Sequence, residues 1–269
     1  MALIILGAVK AAVLGIMEGF TEFLPISSTG HLILVNQWIS FNKDFTLLFD
    51  IVIQLGAILA VVVFFWKRLW PFTKDQSKNK EILSIWYKTI VGVLPAIVLG
   101  ALFASKIEEK LFNPWTVAVA LLVGGIIILI VEKVAKSPKI TSISTLSYKT
   151  VFFIGLIQCL SMVPGTSRSA ATIIGAMVFG ASRVIATEFS FFLAIPTMVA
   201  ASAWSLIKYH AILNTAQVSI LAIGFIVSFI VALAAIKFLI SYVQKNNFKI
   251  FGYYRIILGL IIIVYFLWH

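Results

Sequence analysis

The stretch Gly15-Ile16-Met17-Glu18-Gly19-Phe20-Thr21-Glu22-Phe23-Leu24-Pro25-Ile26-Ser27-Ser28-Thr29-Gly30-His31 decides how this chain folds. It places two carboxylates, several hydroxyls and an imidazole within an otherwise apolar region. Pro25 interrupts the helical pattern because proline lacks a backbone N–H and its ring clashes with the preceding turn. Ionisable side chains are costly at membrane depth and usually serve a function there. The stretch therefore predicts a broken helix that carries a functional site.

The rest of the chain has the composition of an integral membrane protein. Its 269 residues are 61% hydrophobic and 12% charged, with a mean hydropathy of +1.08, far more apolar than a soluble domain. Strand-like alternation is absent from the sequence, which argues against a barrel. We predict an all-α polytopic membrane protein with about six transmembrane helices, because six segments have the length and apolarity to cross a bilayer: about 47–66, 84–104, 115–132, 188–207, 217–241 and 252–268.

Two further apolar regions, 2–39 and 150–180, are interrupted near their middles. Such interruptions are tolerated where the backbone is buried in protein or lines a watery cavity, so each region is predicted to form a re-entrant helix hairpin of two half-helices. The two regions also match at an offset of about 140 residues. Gly15-x-x-Glu18 before Pro25 corresponds to Gly155-x-x-Gln158 before Pro164.

The chain is interpreted as a single membrane domain, 1–269, built from two repeats at about 1–138 and 145–269. Each repeat has one hairpin and three spans. Because three is odd, the second repeat must be inverted relative to the first, as in many transporter folds that place their site near the midplane.

The net charge of +11 is explained by membrane orientation rather than by a nucleic-acid partner. Lys and Arg concentrate in short loops, as the positive-inside rule expects. The loops 67–80 and 133–149, which includes Lys136, are predicted to be cytoplasmic, and Lys245, Lys249 and Arg255 are assigned to the same side. Both termini are then outside. The first hairpin enters from the outer face, and the second from the inner face.

Glu18 and Glu22 are four residues apart and share one helical face. Two like charges in a low-dielectric site either share a proton or bind a cation, and Mg²⁺ or Ca²⁺ prefers oxygen ligands. We predict metal binding or acid–base chemistry for this pair. The alternative is that one carboxylate only completes a buried hydrogen-bond network.

The hydroxyls of Ser27, Ser28 and Thr29 have two interpretations. They could cap the next half-helix, or one of them could be a nucleophile activated by His31 and a carboxylate. His31 is predicted to be the histidine at membrane depth, since His210 is placed in a loop and His269 is the last residue.

The second motif, Pro164-Gly165-Thr166-Ser167-Arg168-Ser169, is typical of a turn that begins a half-helix. Helix-start amides, hydroxyls and a guanidinium form an anion site suited to phosphate, and Thr172 shares the face of Arg168. The partner of Arg168 could be Glu18 or Glu22, a substrate phosphate, or each at a different stage.

Three further polar residues lie in predicted spans. Asp50 and Glu188 are interpreted as caps at the starts of spans, and Gln54 as either a hydrogen-bonding group of the site or a helix-packing residue.

On these two motifs and on Glu188-Phe189-Ser190-Phe191, the chain resembles the undecaprenyl-diphosphate phosphatase family, the bacitracin-resistance type of membrane phosphatase. The resemblance implies a bacterial cytoplasmic-membrane hydrolase that depends on a divalent cation. It would convert undecaprenyl diphosphate to undecaprenyl phosphate at the outer face, recycling the lipid carrier for peptidoglycan synthesis. The polyprenyl diphosphate would be the partner.

The expected mechanism has Ser28 attack the terminal phosphorus while His31 takes its proton, directly or with carboxylate help, before water hydrolyses the phosphoserine. The resemblance favours Ser28 over Ser27, which spacing does not separate, and direct attack by metal-activated water is the alternative. Glu18 and Glu22 are the expected metal ligands, and the catalytic set is completed by Ser28, His31 and Arg168. The expected substrate-binding residues are Ser27, Thr29, Gln54, Gly165, Thr166, Ser167, Ser169 and Thr172.

Two other classes of function compete with the hydrolase. A secondary transporter or lipid flippase would also use inverted repeats and broken helices, and a structural subunit would need no site at all. Moving an anion requires Arg168 and helix ends but no nucleophile, so the carboxylate, hydroxyl and imidazole cluster favours hydrolysis. The sequence leaves open the prenyl chain length, the physiological metal, any lipid flipping and the oligomeric state, a homodimer included.

Overall fold

The computed structural model describes residues 2–135, 137–208 and 213–268. Lys136, His210 and His269 lie outside these ranges, and so do the expectations attached to them. Within the ranges the chain is helical, apart from turns and one parallel bridge between Ile140 and Ala181. The helices are α1 (Ala2–Thr21), α2 (Ser28–Val35), α3 (Lys43–Phe64), α4 (Trp66–Leu69), α5 (Gln76–Leu111), α6 (Pro114–Val134), α7 (Tyr148–Gln158), α8 (Arg168–Val178), α9 (Arg183–Lys208), α10 (Thr215–Val243) and α11 (Lys249–Trp268).

The six predicted spans are confirmed. Six helices in the described ranges are long and apolar enough to cross a membrane: Phe45–Phe64, Gln76–Ile107, Pro114–Val134, Arg183–Ile207, Thr215–Val243 and Lys249–Trp268. The helix α5 is much longer than the span predicted at 84–104, because its polar first turns continue the helix beyond the apolar segment. The protein is therefore an all-α, multi-pass membrane protein.

Polar side chains fix where several helices begin. Asn42, Asn113 and Ser147 each accept a hydrogen bond from a backbone N–H in the first turn of α3, α6 and α7, which satisfies donors that have no partner inside the helix. Asn214 and Gln217 form a reciprocal capping box at α10. At the start of α5, Asp75 accepts hydrogen bonds from the Ser77 hydroxyl and from the amides of Ser77 and Lys78. These hydrogen bonds lower the pKa of the Asp75 carboxyl.

The two interrupted regions are hairpins, as predicted. The first consists of α1 and α2, and the second of α7, a 3-10 turn at Cys159–Met162, and α8. Both interruptions lie beside the middle of a long helix: a Cβ at Gly19 would stand 2.5 Å from the Ser228 carbonyl of α10, and a Cβ at Gly155 would collide with the Gly92 carbonyl of α5. The breaks therefore lie about halfway along α10 and α5. The helix α1, at 20 residues, is longer than a half-helix.

Helix pairing follows the same pattern in the two halves. The helix α1 packs on α10 as α7 packs on α5, α3 contacts α10 as α9 contacts α5, and α2 contacts α11 as α8 contacts α6. The equivalent helices α3 and α9 pack on each other, and so do α6 and α11. This exchange of partners is expected when two related halves face each other. The proposed boundaries of the halves stay a prediction.

The interpretation of Asp50 and Glu188 as caps is wrong. Asp50 lies well inside α3, whose cap is Asn42, and Glu188 lies inside α9, where it forms an ion pair with Arg68 at 2.7 Å. Both sites fall inside helices because the helices extend past the apolar segments by which spans are recognised.

A clasp of hydrogen bonds around Glu132 joins three elements at the end of the bundle near residue 132. Arg183 at the start of α9 donates to both oxygens of Glu132 in α6, at 2.9 and 2.5 Å. Glu132 also accepts a hydrogen bond from the Phe248 amide just before α11, at 2.8 Å. The Glu132 side chain is completely buried, so this ion pair satisfies a carboxylate that would otherwise be costly.

Candidate active site

Two unusual turns form the centre of the site. Ser27 and Ser167 are the described non-glycine residues with positive φ, at 72° and 69°, a region that few side chains adopt without strain. Each caps the helix that follows: the Ser27 hydroxyl accepts from the Gly30 amide and the Ser167 hydroxyl from the Ala170 amide, both at 3.2 Å. They are 140 positions apart, so the same strained cap occurs once in each half.

The residues that follow these caps meet through Glu22. Ser28 and Arg168 are the first residues of α2 and α8. The Ser28 hydroxyl donates to Glu22 Oε2 at 2.8 Å, and Arg168 Nη2 donates to Glu22 Oε1 at 3.1 Å. The side chains of Arg168 and Glu22 are 9% and 8% exposed, and bonds between charged groups are strong at such burial. One carboxylate thus links a hydroxyl of the first half to a guanidinium of the second.

Arg168 is held from a second side by α9. Its Nη1 donates to the Ser190 carbonyl at 3.1 Å, and the Ser190 hydroxyl lies 2.6 Å from that of Thr172. The guanidinium also lies over the Phe23 ring, 5.7 Å from its centroid. These contacts fix the planar fork, which suits it to bind phosphate oxygens in one orientation.

His31 contacts neither Ser28 nor Glu22 by a hydrogen bond. Its Nδ1 lies 2.7 Å from the Ser27 carbonyl and its Nε2 lies 2.6 Å from the Tyr254 hydroxyl. Because a carbonyl only accepts, these partners assign a proton to Nδ1 and leave Nε2 to accept from Tyr254 in the neutral ring. The group that accepts the Ser28 hydroxyl hydrogen bond in this geometry is the Glu22 carboxylate.

Glu18 lies one helical turn before Glu22, buried at 2% exposure, and its Oε1 has no hydrogen-bond partner in the described residues. A buried carboxylate oxygen without a partner is unusual. Within the described part of the chain, no three His, Cys, Asp or Glu side chains are arranged to hold a metal by themselves. Mg²⁺ is commonly held by one or two carboxylates together with substrate phosphates. Glu18 is outside the lining of the cavity next to it, and both oxygens of Glu22 already accept hydrogen bonds. The donor set therefore fits a divalent cation held by Glu18 and by substrate phosphates, with Glu22 as a ligand once it releases one of its present partners.

A cavity of about 530 Å³ opens from this cluster. Glu22, Ser28, Gln54 and Arg168 form its polar end. The remaining walls come mainly from the C-terminal parts of α5 and α9 and are largely small or apolar: Val93, Ala96, Ile97, Gly100, Ala101, Ala104, Met198, Ala200, Ala201 and Trp204. An anionic head group attached to an apolar chain matches such a cavity.

The predicted substrate-binding residues divide into two groups. Ser27, Thr29, Gln54, Gly165 and Ser167 line the cavity. The remaining three, Thr166, Ser169 and Thr172, are outside its lining.

Two of these three have other partners. The Ser169 hydroxyl is fully buried and donates to the Leu24 carbonyl at 2.9 Å, which fastens the second turn to the first. Thr172 donates to the Arg168 carbonyl in its own helix at 2.9 Å.

Comparison with known proteins identifies the family. The family model described as bacitracin resistance protein BacA matches residues 11–261. The chain belongs to the BacA family. It is 52% identical over 264 residues to a Lachnoclostridium phytofermentans protein named undecaprenyl-diphosphatase, covering 96% of each chain. Proteins of the same name from Acetivibrio thermocellus and Enterococcus faecalis are 50% and 45% identical, over 96% and 98% of this chain and 97% and 99% of theirs.

In this BacA-family chain, several residues join the site that sequence patterns did not assign to it. Gln158 lines the cavity and donates to the Thr197 hydroxyl at 3.2 Å, while Ser190 holds Arg168. Ser190 is 140 positions after Asp50, which is the offset between the two halves. Applying this offset to Asp50 would have pointed to Ser190 as its equivalent.

Two further residues of the site lie on α11. Tyr254 bonds to His31, and Arg255 bonds to the carbonyls of both turns. No sequence motif marks either residue. The assignment of Arg255 to the cytoplasmic loop charges is wrong, because Arg255 lies inside α11 and is fully buried.

Proposed function

We propose that this BacA-family chain hydrolyses undecaprenyl diphosphate to undecaprenyl phosphate and inorganic phosphate, recycling the lipid carrier for peptidoglycan synthesis. The observation that carries the proposal is the Glu22 carboxylate, which joins the Ser28 hydroxyl to Arg168 at the polar end of an apolar cavity. The names of the full-length relatives support the same substrate and reaction.

In this proposal, the diphosphate binds with its terminal phosphate beside Arg168 and the amides at the start of α8. Phosphoryl transfer needs mainly positioning and neutralisation of charge. A helix start and a fixed guanidinium supply both. The isoprenoid chain of the bound substrate extends along the cavity wall formed by α5 and α9.

The nucleophile in this mechanism is Ser28. Its oxygen attacks the terminal phosphorus and the bond to the bridging oxygen breaks, so that the lipid leaves as its monophosphate. Glu22 receives the Ser28 proton, because its Oε2 already accepts the hydroxyl hydrogen bond. Water then hydrolyses the phosphoserine and regenerates the hydroxyl. His31 supports the Ser27 carbonyl rather than taking the proton itself.

A divalent cation is part of the proposal. Glu18, with its unpartnered oxygen, and Glu22 would hold it, and when bound it would neutralise phosphate charge.

The decisive experiment measures phosphate release by purified protein in detergent from a polyprenyl diphosphate, with Mg²⁺ or Ca²⁺ present. Ser28→Ala should lower release to a small residual rate, whereas Ser219→Ala, which removes a hydroxyl on α10 bonded to its own helix, should retain the wild-type rate. Radiolabelled phosphate trapped on the wild type and absent from Ser28→Ala would support the covalent route. A labelled product without trapped protein would instead favour direct attack by water.

A transporter or flippase is the second candidate, since inverted repeats and broken helices are common in transporters. It would be favoured if the protein released no phosphate while proteoliposomes moved the lipid.

We also infer that the cavity opens to the outer face of the bacterial cytoplasmic membrane, with both termini outside. The cavity lies on the C-terminal parts of α5 and α9, away from the basic loop 67–80, which precedes α5. Positive loops favour the cytoplasmic side. In a Cys159→Ser background, Phe112→Cys should react with an impermeant maleimide in intact cells and Ser77→Cys only after permeabilisation. The reverse labelling would invert the proposed orientation.

A further inference from the structure

Arg255 is a fully buried cation without a carboxylate partner among the described residues. Its side chain lies on α11 at 0% exposure. Its Nη2 donates to the carbonyls of Gly165 at 3.0 Å and Ala120 at 3.1 Å, and its Nη1 donates to that of Pro25 at 3.5 Å. In the part of the chain that the structure describes, no Asp or Glu lies within salt-bridge distance of it, in contrast to Arg168 and Arg183.

Burying a guanidinium without a counterion is unfavourable, since carbonyl dipoles replace only part of its hydration. An apolar side chain of similar volume would satisfy the packing of α6 on α11 without this cost. The surroundings are nonetheless shaped for the guanidinium. A Cβ at Gly124 would collide with Nη2 and stand 2.9 Å from Cζ. The cation therefore has a use beyond stability.

The carbonyls that Arg255 binds are equivalent in the two halves. Pro25 and Gly165 are 140 positions apart, each two residues before the strained cap of its turn. Three residues after each carbonyl stands a reacting or binding group, Ser28 in the first turn and Arg168 in the second. One guanidinium thus bridges the same point of both turns.

We propose that Arg255 is a positioning residue that holds the two turns in a fixed relative position, so that Ser28 and Arg168 contact the same phosphate group of the substrate. The inference rests on the proposed phosphatase function. Arg255 is outside the lining of the cavity and so does not touch the substrate. Its effect acts through the backbone: without it the attack distance changes, while the cavity that binds the lipid is retained.

Two variants test this role independently. Arg255→Lys keeps the charge but replaces the two-armed fork with a single nitrogen, and Gly124→Ala displaces the guanidinium without altering it. For both we expect kcat to fall at least tenfold while KM changes less than threefold. The affinity for a non-hydrolysable methylene-diphosphonate analogue of the lipid should also stay within threefold of wild type.

The control is Arg183→Met, which breaks the clasp around the buried Glu132 carboxylate, outside the lining of the cavity. It should lower the thermal midpoint in detergent, yet leave kcat per folded molecule within twofold of wild type. If Arg183→Met reduces kcat as much as the other variants do, the loss reflects general destabilisation and the positioning role is refuted.

Other results would also overturn the inference. Wild-type kcat in folded Gly124→Ala or Arg255→Lys would refute it, and so would a loss confined to KM and analogue affinity, which would make Arg255 a binding charge. Should Arg255→Lys fail to fold, Gly124→Ala decides alone. A wild-type protein that releases no phosphate would refute the proposed function itself, a result distinct from normal activity in the variants.

Discussion

The replacement Glu22→Gln is the sharpest test of the site. Glutamine keeps the size of the side chain but cannot accept the Ser28 proton, and it removes the counterion of Arg168. Ser28 and Arg168 contact the two oxygens of this carboxylate at 2.8 and 3.1 Å. The substitution therefore acts on catalysis and on stability at once, and the two effects must be separated.

The two magnitudes follow from the geometry. A positioned general base contributes roughly 10²- to 10⁴-fold to a rate, which corresponds to about 3–5 kcal/mol of activation free energy. Leaving the nearly buried Arg168 without its partner costs about 3–5 kcal/mol of folding free energy. We expect kcat to fall at least a hundredfold in Glu22→Gln and the thermal midpoint to fall with it.

Double variants separate these effects. Glu22→Gln combined with Arg168→Met removes both charges of the ion pair. Its thermal midpoint in detergent should therefore rise above that of Glu22→Gln, while kcat stays at least a hundredfold below that of the wild type. In the Ser28→Ala background, Glu22→Gln should reduce the residual rate at least tenfold less than it reduces the wild-type rate, because the base then has no hydroxyl to activate. Such non-additivity is expected of residues that act as a unit.

Two results would refute this reasoning. One is a folded Glu22→Gln protein that retains more than a tenth of the wild-type kcat. The other is an effect of Glu22→Gln that is as large in the Ser28→Ala background as in the wild type, which would show that Glu22 acts through Arg168 or the cation alone and not on Ser28.

Three further predictions address the surroundings of the site. Tyr254→Phe removes the hydroxyl bonded to His31 Nε2 and should lower kcat about two- to tenfold, the equivalent of one hydrogen bond, in the phosphate-release assay; an unchanged kcat would show that this bond is dispensable. Gly165→Ala meets both a φ of +92° and the Val117 carbonyl, 2.6 Å from the new Cβ, so the thermal midpoint should fall by the equivalent of about 1–3 kcal/mol; a wild-type midpoint would contradict this. EDTA should abolish phosphate release and Mg²⁺ or Ca²⁺ restore it, with Glu18→Gln shifting the titration to higher metal concentration; full activity in EDTA would exclude the proposed dependence.

The spans could be predicted from the sequence because each is a long apolar segment, and hydropathy alone marks such segments. Helix ends could not be predicted in this way. In α5, the residues from Gln76 to Glu81 are polar but still helical, since a helix can continue past the apolar region into water. The same limitation placed Asp50 and Glu188 at span starts, although both lie within helices.

The charged residues of the site could be predicted, because burying a charge at membrane depth costs free energy and such residues are rare there. Glu22 and Arg168 stood out as charges in an apolar chain, and the structure brings them together. The hydrogen-bond partner of Ser28 was predictable only in part. The sequence offered both His31 and a carboxylate, but the turn directs the His31 ring toward Tyr254 and leaves Ser28 bonded to Glu22. Arg255 was misplaced because counting loop charges cannot distinguish a cation in a loop from one buried in the first turns of a helix.

The two halves carry different residue types at positions where identical residues would be unfavourable for binding an anion. Glu18 corresponds to Gln158, Ser28 to Arg168 and Asp50 to Ser190 at the 140-residue offset. Carboxylates kept in both halves would repel each other and the diphosphate across the midplane, and two serines would leave the phosphate without a cation. Acids and the hydroxyl in one half with the cation in the other make the site complementary to an anion. Such a site works only if the halves hold a fixed relation, which is why the two turns share one buried guanidinium.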